Sequence, residues 1–279
     1  LHHFMVREKE ELFLQTLELH LFLNNMEKQF EVKTEMRNKF ALQMLHVSLP
    51  IDFVNKINDY IDDKVKHLDI ENIKKSTDSK YPPGIDLDIG LTEDNQDAKL
   101  LKSTLDTTCQ EYLRQIGHGD SHVDVFESWS VMSFSGDYNP LHDHGVATPA
   151  GLSMILYLKV PESVTKQSDP DDIDVNFWLN DNYGSIDGFT YFSWEHRNQD
   201  MLKKLYPVGE EYFKPKVGSL LIFPNWLKHA VMPFYGEGER RIISANANVI
   251  SPEMFDWQNK SDKERQEIIK DLRSIKTKR

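Results

Sequence analysis

The stretch "NPLHDHGVATPAGLSMILYLKVP" (139–161) decides how the middle of this chain is read. Its second half, "GLSMILYLKVP" (151–161), is a short apolar run bounded by a glycine and a proline, which predicts a buried strand. Its first half carries His142 and His144, two positions apart, with Asp143 between them. Side chains alternate along an extended backbone. If 141–145 is extended, the two imidazoles share one face and Asp143 points to the other. Two imidazoles on one face suit a divalent ion, which then needs a third ligand from elsewhere in the chain.

Working outward, the same texture runs from 123 to 250. Short β-rich runs appear at "VFESWSVMSF" (125–134), "DGFTYFSW" (187–194), "GSLLIFPNW" (218–226), "HAVMPFY" (229–235) and "RRIISANANV" (240–249). Turn signals such as "SGDYNP" and "YGEGE" separate them. Many short strands so punctuated predict a mainly β fold with flanking α, a sandwich or jelly roll. The aromatics Trp129, Phe177, Trp178, Tyr191, Phe192 and Trp194 are expected mostly in its core.

Helical periodicity flanks this core. It marks 9–25, 51–68 and 97–117, the last closed by Gly117, while 72–97 reads as a loop and 39–50 as a strand. In the tail, Ser251 with Pro252 marks a helix start, and Ser261 with Glu264 a capping box. The resulting division is an N-terminal helical extension at 1–38, native or appended, a main domain at 39–250 and a helical tail at 251–279.

Composition narrows the class. With 28% charged and 39% hydrophobic residues the chain reads as globular, and it has no apolar run long enough to span a bilayer, so no membrane partner is expected. A net charge of −12 opposes binding to phosphate backbones, so no nucleic-acid partner is expected either. The single cysteine, Cys109, forbids an internal disulfide and a cysteine zinc cluster, and fits a reducing cytoplasm.

The third ligand is best sought at His229, which ends one apolar run and begins another. Arg240 follows across the "YGEGE" turn, and a hairpin there would place it beside the strand carrying His229. On the final strand Arg240, Ile242, Ser244 and Asn246 share one face, and Arg241, Ile243, Ala245 and Ala247 the other. A one-residue slip in register exchanges the two arginines. Two literal His-x-Asp steps, His118 with Asp120 and His122 with Asp124, compete as carboxylate-bearing motifs.

Two blocks carry a resemblance: "GDYNPLHDHGVATPAGLSMILYLKVP" and "GSLLIFPNWLKHAVMPFYGEGERRIISANAN". Together they resemble the iron(II)- and 2-oxoglutarate-dependent oxygenases, closest to a bacterial and phage subgroup with a His-x-His proximal motif. The resemblance implies a double-stranded β-helix (jelly roll, cupin-like) core. It implies Fe(II) held by His142, His144 and His229, and 2-oxoglutarate as co-substrate. Arg240 would grip the remote carboxylate through its guanidinium fork, aided by Tyr157. Ser153 and Ile155 would face the same pocket, and Asn246 would lie near metal or substrate.

The family's usual site is two histidines and one carboxylate. Here His144 stands in the carboxylate's place, and three neutral imidazoles leave the ion with one more positive charge. The implied reaction is a hydroxylase-type oxidation with release of succinate and carbon dioxide, on a small-molecule or peptide substrate. Two alternatives stay open: a three-histidine cupin-type dioxygenase that does not use 2-oxoglutarate, and a non-catalytic jelly-roll binding module.

Overall fold

The computed structural model describes residues 34–39, 42–66, 68, 84–91, 94–146, 148, 150–167, 186–194, 209–261 and 263–265. The expected helix at 9–25 and the aromatics Phe177 and Trp178 lie outside these residues. Among the described residues no helix is long and apolar enough to cross a membrane.

In chain order the strands are β1 (Thr34–Lys39), β2 (Leu42–Ser48), β3 (Ile85–Asp88), β4 (His122–Ser133), β5 (Asn139–His142), β6 (Gly151–Lys159), β7 (Thr190–Ser193), β8 (Glu210–Phe213), β9 (Ser219–Pro224), β10 (Lys228–Val231) and β11 (Arg240–Ile250). The helices are α1 (Ile51–Val65), α2 (Gln96–Gln115), α3 (Glu162–Thr165) and α4 (Pro252–Asn259). They build two antiparallel sheets, a larger one in the order β1-β2-β9-β6-β11-β4-β3 and a smaller one in the order β5-β10-β7-β8.

From β4 to β11 the chain passes repeatedly between the sheets: large, small, large, small twice, large, small, large. Eight strands wound this way form a jelly roll, the double-stranded β-helix. Consecutive strands therefore tend to face each other across the sandwich. That corrects the expected hairpin between His229 and Arg240. β10 lies in the small sheet and β11 in the large one, so Arg240 reaches the small sheet across the interior.

Alternation along β6 and β11 divides two hydrophobic layers. Leu152, Met154, Leu156, Leu158, Ile243, Ala245 and Ala247 pack against the helices. From α1 this layer receives Phe53, Val54, Ile57, Tyr60 and Ile61, and from α2 it receives Leu101, Leu105 and Leu113. Each such side chain, fully buried, contributes about 1.5–3 kcal/mol. Ile155, Tyr157 and Ile242 point the other way, into the sandwich, where they meet Phe192, Phe213 and Phe223. Trp129 and Trp194 pack on that cluster as well, as the composition of the strands predicts.

The helix signals hold. Asn95 Oδ1 accepts from the backbone of Asp97 and Ala98 to start α2, and Gly117, with φ of +85°, follows its C-terminal end. The Ser251 hydroxyl accepts from Met254 N, and Ser261 and Glu264 satisfy each other's backbone N–H groups. Two expectations change. The loop expected over 72–97 contains β3, which pairs with β4 through Ile85–Met132 to Asp88–Trp129. Residues 34–38, placed by sequence with the N-terminal extension, belong to β1 and pair with β2.

Candidate metal and 2-oxoglutarate site

At one end of the sandwich, β5, its following turn and β10 bring three histidines together. His229 on β10 pairs directly with His142, the last residue of β5. His144 lies just beyond, held by its backbone N–H to Asn225 O at 2.8 Å. Asp143 turns away, and its Oδ1 accepts from Gly145 N at 3.1 Å, closing a local turn. The spacer role expected from strand period thus persists one step past the strand.

One nitrogen from each ring lies within 4.8 Å of the other two, the one metal-spaced cluster of His, Cys, Asp and Glu among the described residues. Nitrogens bound to one ion at about 2.1 Å in a tetrahedral array lie about 3.4 Å apart, so inward shifts of up to about 1 Å bring the three rings onto a single ion. The hydrogen bonds fit that role better still. Nδ1 of His142 meets Pro140 O at 2.7 Å, Nδ1 of His229 meets Leu227 O at 3.0 Å, and Nδ1 of His144 meets Asn246 Oδ1 at 2.8 Å. Carbonyl oxygens only accept, so every ring keeps its proton on Nδ1 and leaves the Nε2 lone pair bare.

Burial favours the neutral form of two of the rings, the form a ligand needs. Burial, then the neighbouring His142, pushes His229 down to about 3. Burial also lowers His144 against the opposing pull of Asn246. Phe223 packs edge-on against His229 at 5.3 Å, and Trp129 lies 5.7 Å from the His144 ring.

Further along the interior lies a second feature. Arg240 is fully buried, at 0% exposure. Its Nη2 donates to Thr190 Oγ1 at 3.1 Å, and its guanidinium sits 5.3 Å from the centre of the Tyr157 ring. Among the described residues its Nε and Nη1 have no hydrogen-bond partner, and no carboxylate pairs with it. A buried cation left this way costs stability unless a ligand completes it. Thr190 is the diagonal neighbour of His229 across the β7–β10 ladder, where His229 pairs with Phe192. That step is about 7–8 Å between Cα atoms. The unpaired guanidinium and the histidine cluster therefore open on one interior.

Arg241, its rival in sequence, is accounted for otherwise. It points to the helix side and binds Asp62 at 2.7 Å and Glu239 at 2.6 Å. Ser153 and Asn246 do not accompany Arg240 and Tyr157. Six strand residues, about 20 Å, separate Arg240 from Asn246. Ser153 Oγ donates to Asn246 Oδ1 at 2.9 Å, on the same oxygen that meets His144. This pair therefore backs the histidines. The two His-x-Asp steps form no cluster with them: His122 stacks on Phe255 at 4.0 Å, and Asp124 pairs with Lys102.

Sequence reasoning missed two neighbours of this site, Thr190 and Glu127. Thr190 shares the inward face of β7 with Phe192, which was the available signal. Glu127 stands opposite Asn246 in the β4–β11 ladder, and Asn246 Nδ2 donates to its Oε1 at 2.6 Å. It is the first member of the inward series that continues through Trp129 and Val131.

A jelly roll that converges three metal-ready imidazoles near an unpaired buried arginine has the build of a mononuclear metal enzyme. Residues 127–246, from within β4 to within β11, match the family model described as "Putative 2OG-Fe(II) oxygenase". This stretch of the chain is similar to the 2OG-Fe(II) oxygenases, enzymes whose metal is iron(II) and whose co-substrate is 2-oxoglutarate. No curated protein matches the chain by sequence.

Similar solved structures include AviO1 from Streptomyces viridochromogenes Tue57, with 12% identity over 73% of this chain and 88% of that one, at a TM-score of 0.45. EctD from S. alaskensis, in its apoform, shows 12% identity over 77% and 84%, at a TM-score of 0.48. A Pseudomonas putida prolyl-4-hydroxylase shows 14% identity over 82% and 98%, at a TM-score of 0.43. Likeness at this level bears on neither substrate nor reaction.

Proposed function

We propose that this chain is an iron(II)- and 2-oxoglutarate-dependent dioxygenase of the hydroxylase type, acting on a small-molecule or peptide substrate. His142, His144 and His229 hold the iron through Nε2. Arg240 binds the remote carboxylate of 2-oxoglutarate through Nε and Nη1, with Tyr157 and Thr190 fixing the guanidinium from its other side. The observation that carries the reading is the fully buried guanidinium, unpaired among the described residues, on the same interior as the histidines.

When bound, iron and 2-oxoglutarate supply the oxidative chemistry: substrate, oxygen and 2-oxoglutarate yield hydroxylated substrate, succinate and carbon dioxide. This chain's residues do the rest. The Nδ1 hydrogen bonds hold each ring's lone pair in place before the metal arrives. The aromatic layer of Phe192, Phe213 and Phe223 keeps bulk water from the anchor. Burial strengthens the arginine–carboxylate attraction and makes a dianionic co-substrate the natural partner of an ion held by neutral ligands.

Protein purified without oxygen, loaded with iron(II) and titrated with 2-oxoglutarate tests the reading. A visible metal-to-ligand charge-transfer band, lost in Arg240→Ala, is expected. Iron binding and oxygen consumption on a substrate without that band would favour a three-histidine dioxygenase independent of 2-oxoglutarate. Absence of specific iron binding would leave a binding module.

A further inference from the structure

Three neutral imidazoles give the ion no negative ligand, yet a carboxylate stands one amide away. Glu127 Oε1 accepts from Asn246 Nδ2 at 2.6 Å, while Asn246 Oδ1 receives His144 Nδ1 at 2.8 Å and Ser153 Oγ at 2.9 Å. We propose that Glu127 is a positioning residue of the metal centre, setting the tautomer of His144 through Asn246 and supplying the negative charge that the ligand set lacks. The proposal rests on reading the three histidines as the metal site.

The logic follows from which atoms donate. An ionised carboxylate has no proton to give, so the amide must turn its NH2 group toward Glu127. Its carbonyl oxygen is thereby committed to the opposite side, where His144 and Ser153 lie. An oxygen there accepts only, so His144 carries its proton on Nδ1 and offers Nε2 to the ion. With the amide reversed, an NH2 would face Nδ1 and call for the other tautomer, with the proton on the ligating nitrogen. Glu127 thus decides which nitrogen of His144 is bare. Carboxylate-to-histidine-to-metal chains act this way in metal sites, and losing the outer member weakens metal affinity by about 10–100-fold.

Two further observations set Glu127 apart from an ordinary surface acid. Among the described residues it pairs with no lysine or arginine, although cationic partners occupy many of the chain's other acids. It also stands directly beside an irregularity. Asn246 pairs with Glu127 but the next residue, Ala247, pairs with Val125, so Phe126 is an extra residue in β4. Bulges re-aim side chains beside functional sites.

Full-length protein, metal-free and then titrated with Co(II), tests the proposal. Glu127→Gln is expected to weaken Co(II) binding about 10–100-fold. The double variant Glu127→Gln with Asn246→Asp moves the carboxylate one step inward and keeps every hydrogen bond satisfied. In it the introduced glutamine amide donates to the introduced aspartate, which accepts from His144 and Ser153. It should regain most of the lost affinity. The His144 ring nitrogens, read by 15N NMR in the metal-free protein, should show a proton on Nδ1 in wild type and a tautomer mixture in Glu127→Gln.

Unchanged affinity and tautomer in Glu127→Gln would overturn the proposal. Should that variant fail to fold, wild-type His144 decides alone, and a proton on Nε2 overturns it. Wild type that binds no Co(II) would sink the metal reading instead, leaving the tautomer measurement to judge the role of Glu127.

Discussion

Arg240 and Tyr157 converge on one oxygen. The guanidinium Nη2 and the phenol both reach Thr190 Oγ1, at 3.1 and 2.7 Å. Among the described residues, Nε and Nη1 are left buried without hydrogen-bond partners. The consequence is a trade between stability and binding. Arg240→Met replaces a buried, uncompensated cation with an apolar side chain of similar length. Metal-free Arg240→Met should be about 1–4 kcal/mol more stable in urea than wild type. The same variant should bind 2-oxoglutarate at least about 30-fold more weakly, as expected when one partner of a buried charge pair is removed. A variant that is less stable and binds 2-oxoglutarate normally would mean that Arg240 is a structural residue.

In the proposed ligand set, His144 is the position that departs from two histidines and a carboxylate. His144→Leu should lose stoichiometric iron after gel filtration, measured as metal per chain, whereas His144→Asp should keep it. Full iron content in the leucine variant would remove His144 from the ligand set.

Asn225 ties the histidine turn to the core. It is buried, its backbone oxygen receives His144 N, and its Nδ2 donates to Thr148 O at 2.9 Å. Asn225→Ala strands the Thr148 carbonyl and loosens His144. Stability should fall by about 1–3 kcal/mol, and metal affinity by about tenfold. Chemical denaturation and a Co(II) titration read the two effects separately. Lost stability with unchanged metal affinity would show that the turn holds its shape without this amide.

On the helix side, Asp62 joins Arg241 to α1. Burial raises its carboxyl, but the hydrogen bond and charge of Arg241, with help from Lys159, outweigh that and leave it below the ordinary carboxylate value. A depressed carboxylate contributes stability that is fully present above its unfolded pKa, near 3.9, and is lost as pH falls through the folded value. Asp62→Asn should therefore be less stable than wild type at pH 7, and the difference should shrink as pH falls below about 3.9 and through the folded value. Denaturation curves across that range check it. A difference that persists undiminished at pH 2 would assign the effect to packing.

Legibility of the sequence varied with position in the sheets. Interior strands such as β6, β9 and β11 announce themselves as apolar or alternating runs, because both faces are covered. The strands least visible in sequence are β1, β3, β5 and β8, which are the four sheet edges. An edge strand satisfies one neighbour and tolerates "IDLD", "EEYF" or the proline of "NPLH". His142 and His144 stand out by strand period, whereas preferring Arg240 to Arg241 leans on the polar face it shares with Ser244 and Asn246 and on the resemblance of the two blocks. Thr190 and Glu127 were not legible, because what makes them notable is a partner on another strand. The misplaced hairpin has a similar cause: a glycine-rich turn looks the same whether it reverses within a sheet or crosses between two.

The extra residue at Phe126 bears on how this chain tolerates changes of length. Val125 faces the helices and Glu127 the interior, although two positions apart they would share a face on a regular strand. Deleting Phe126 would make them immediate neighbours, and simple alternation would then deliver the same two orientations with the same partners, Ala247 and Asn246. A one-residue deletion in a central strand usually turns half of its side chains inside out. At this one position it should leave the chain folded, while the same deletion at Ser128 or Ser130 should not.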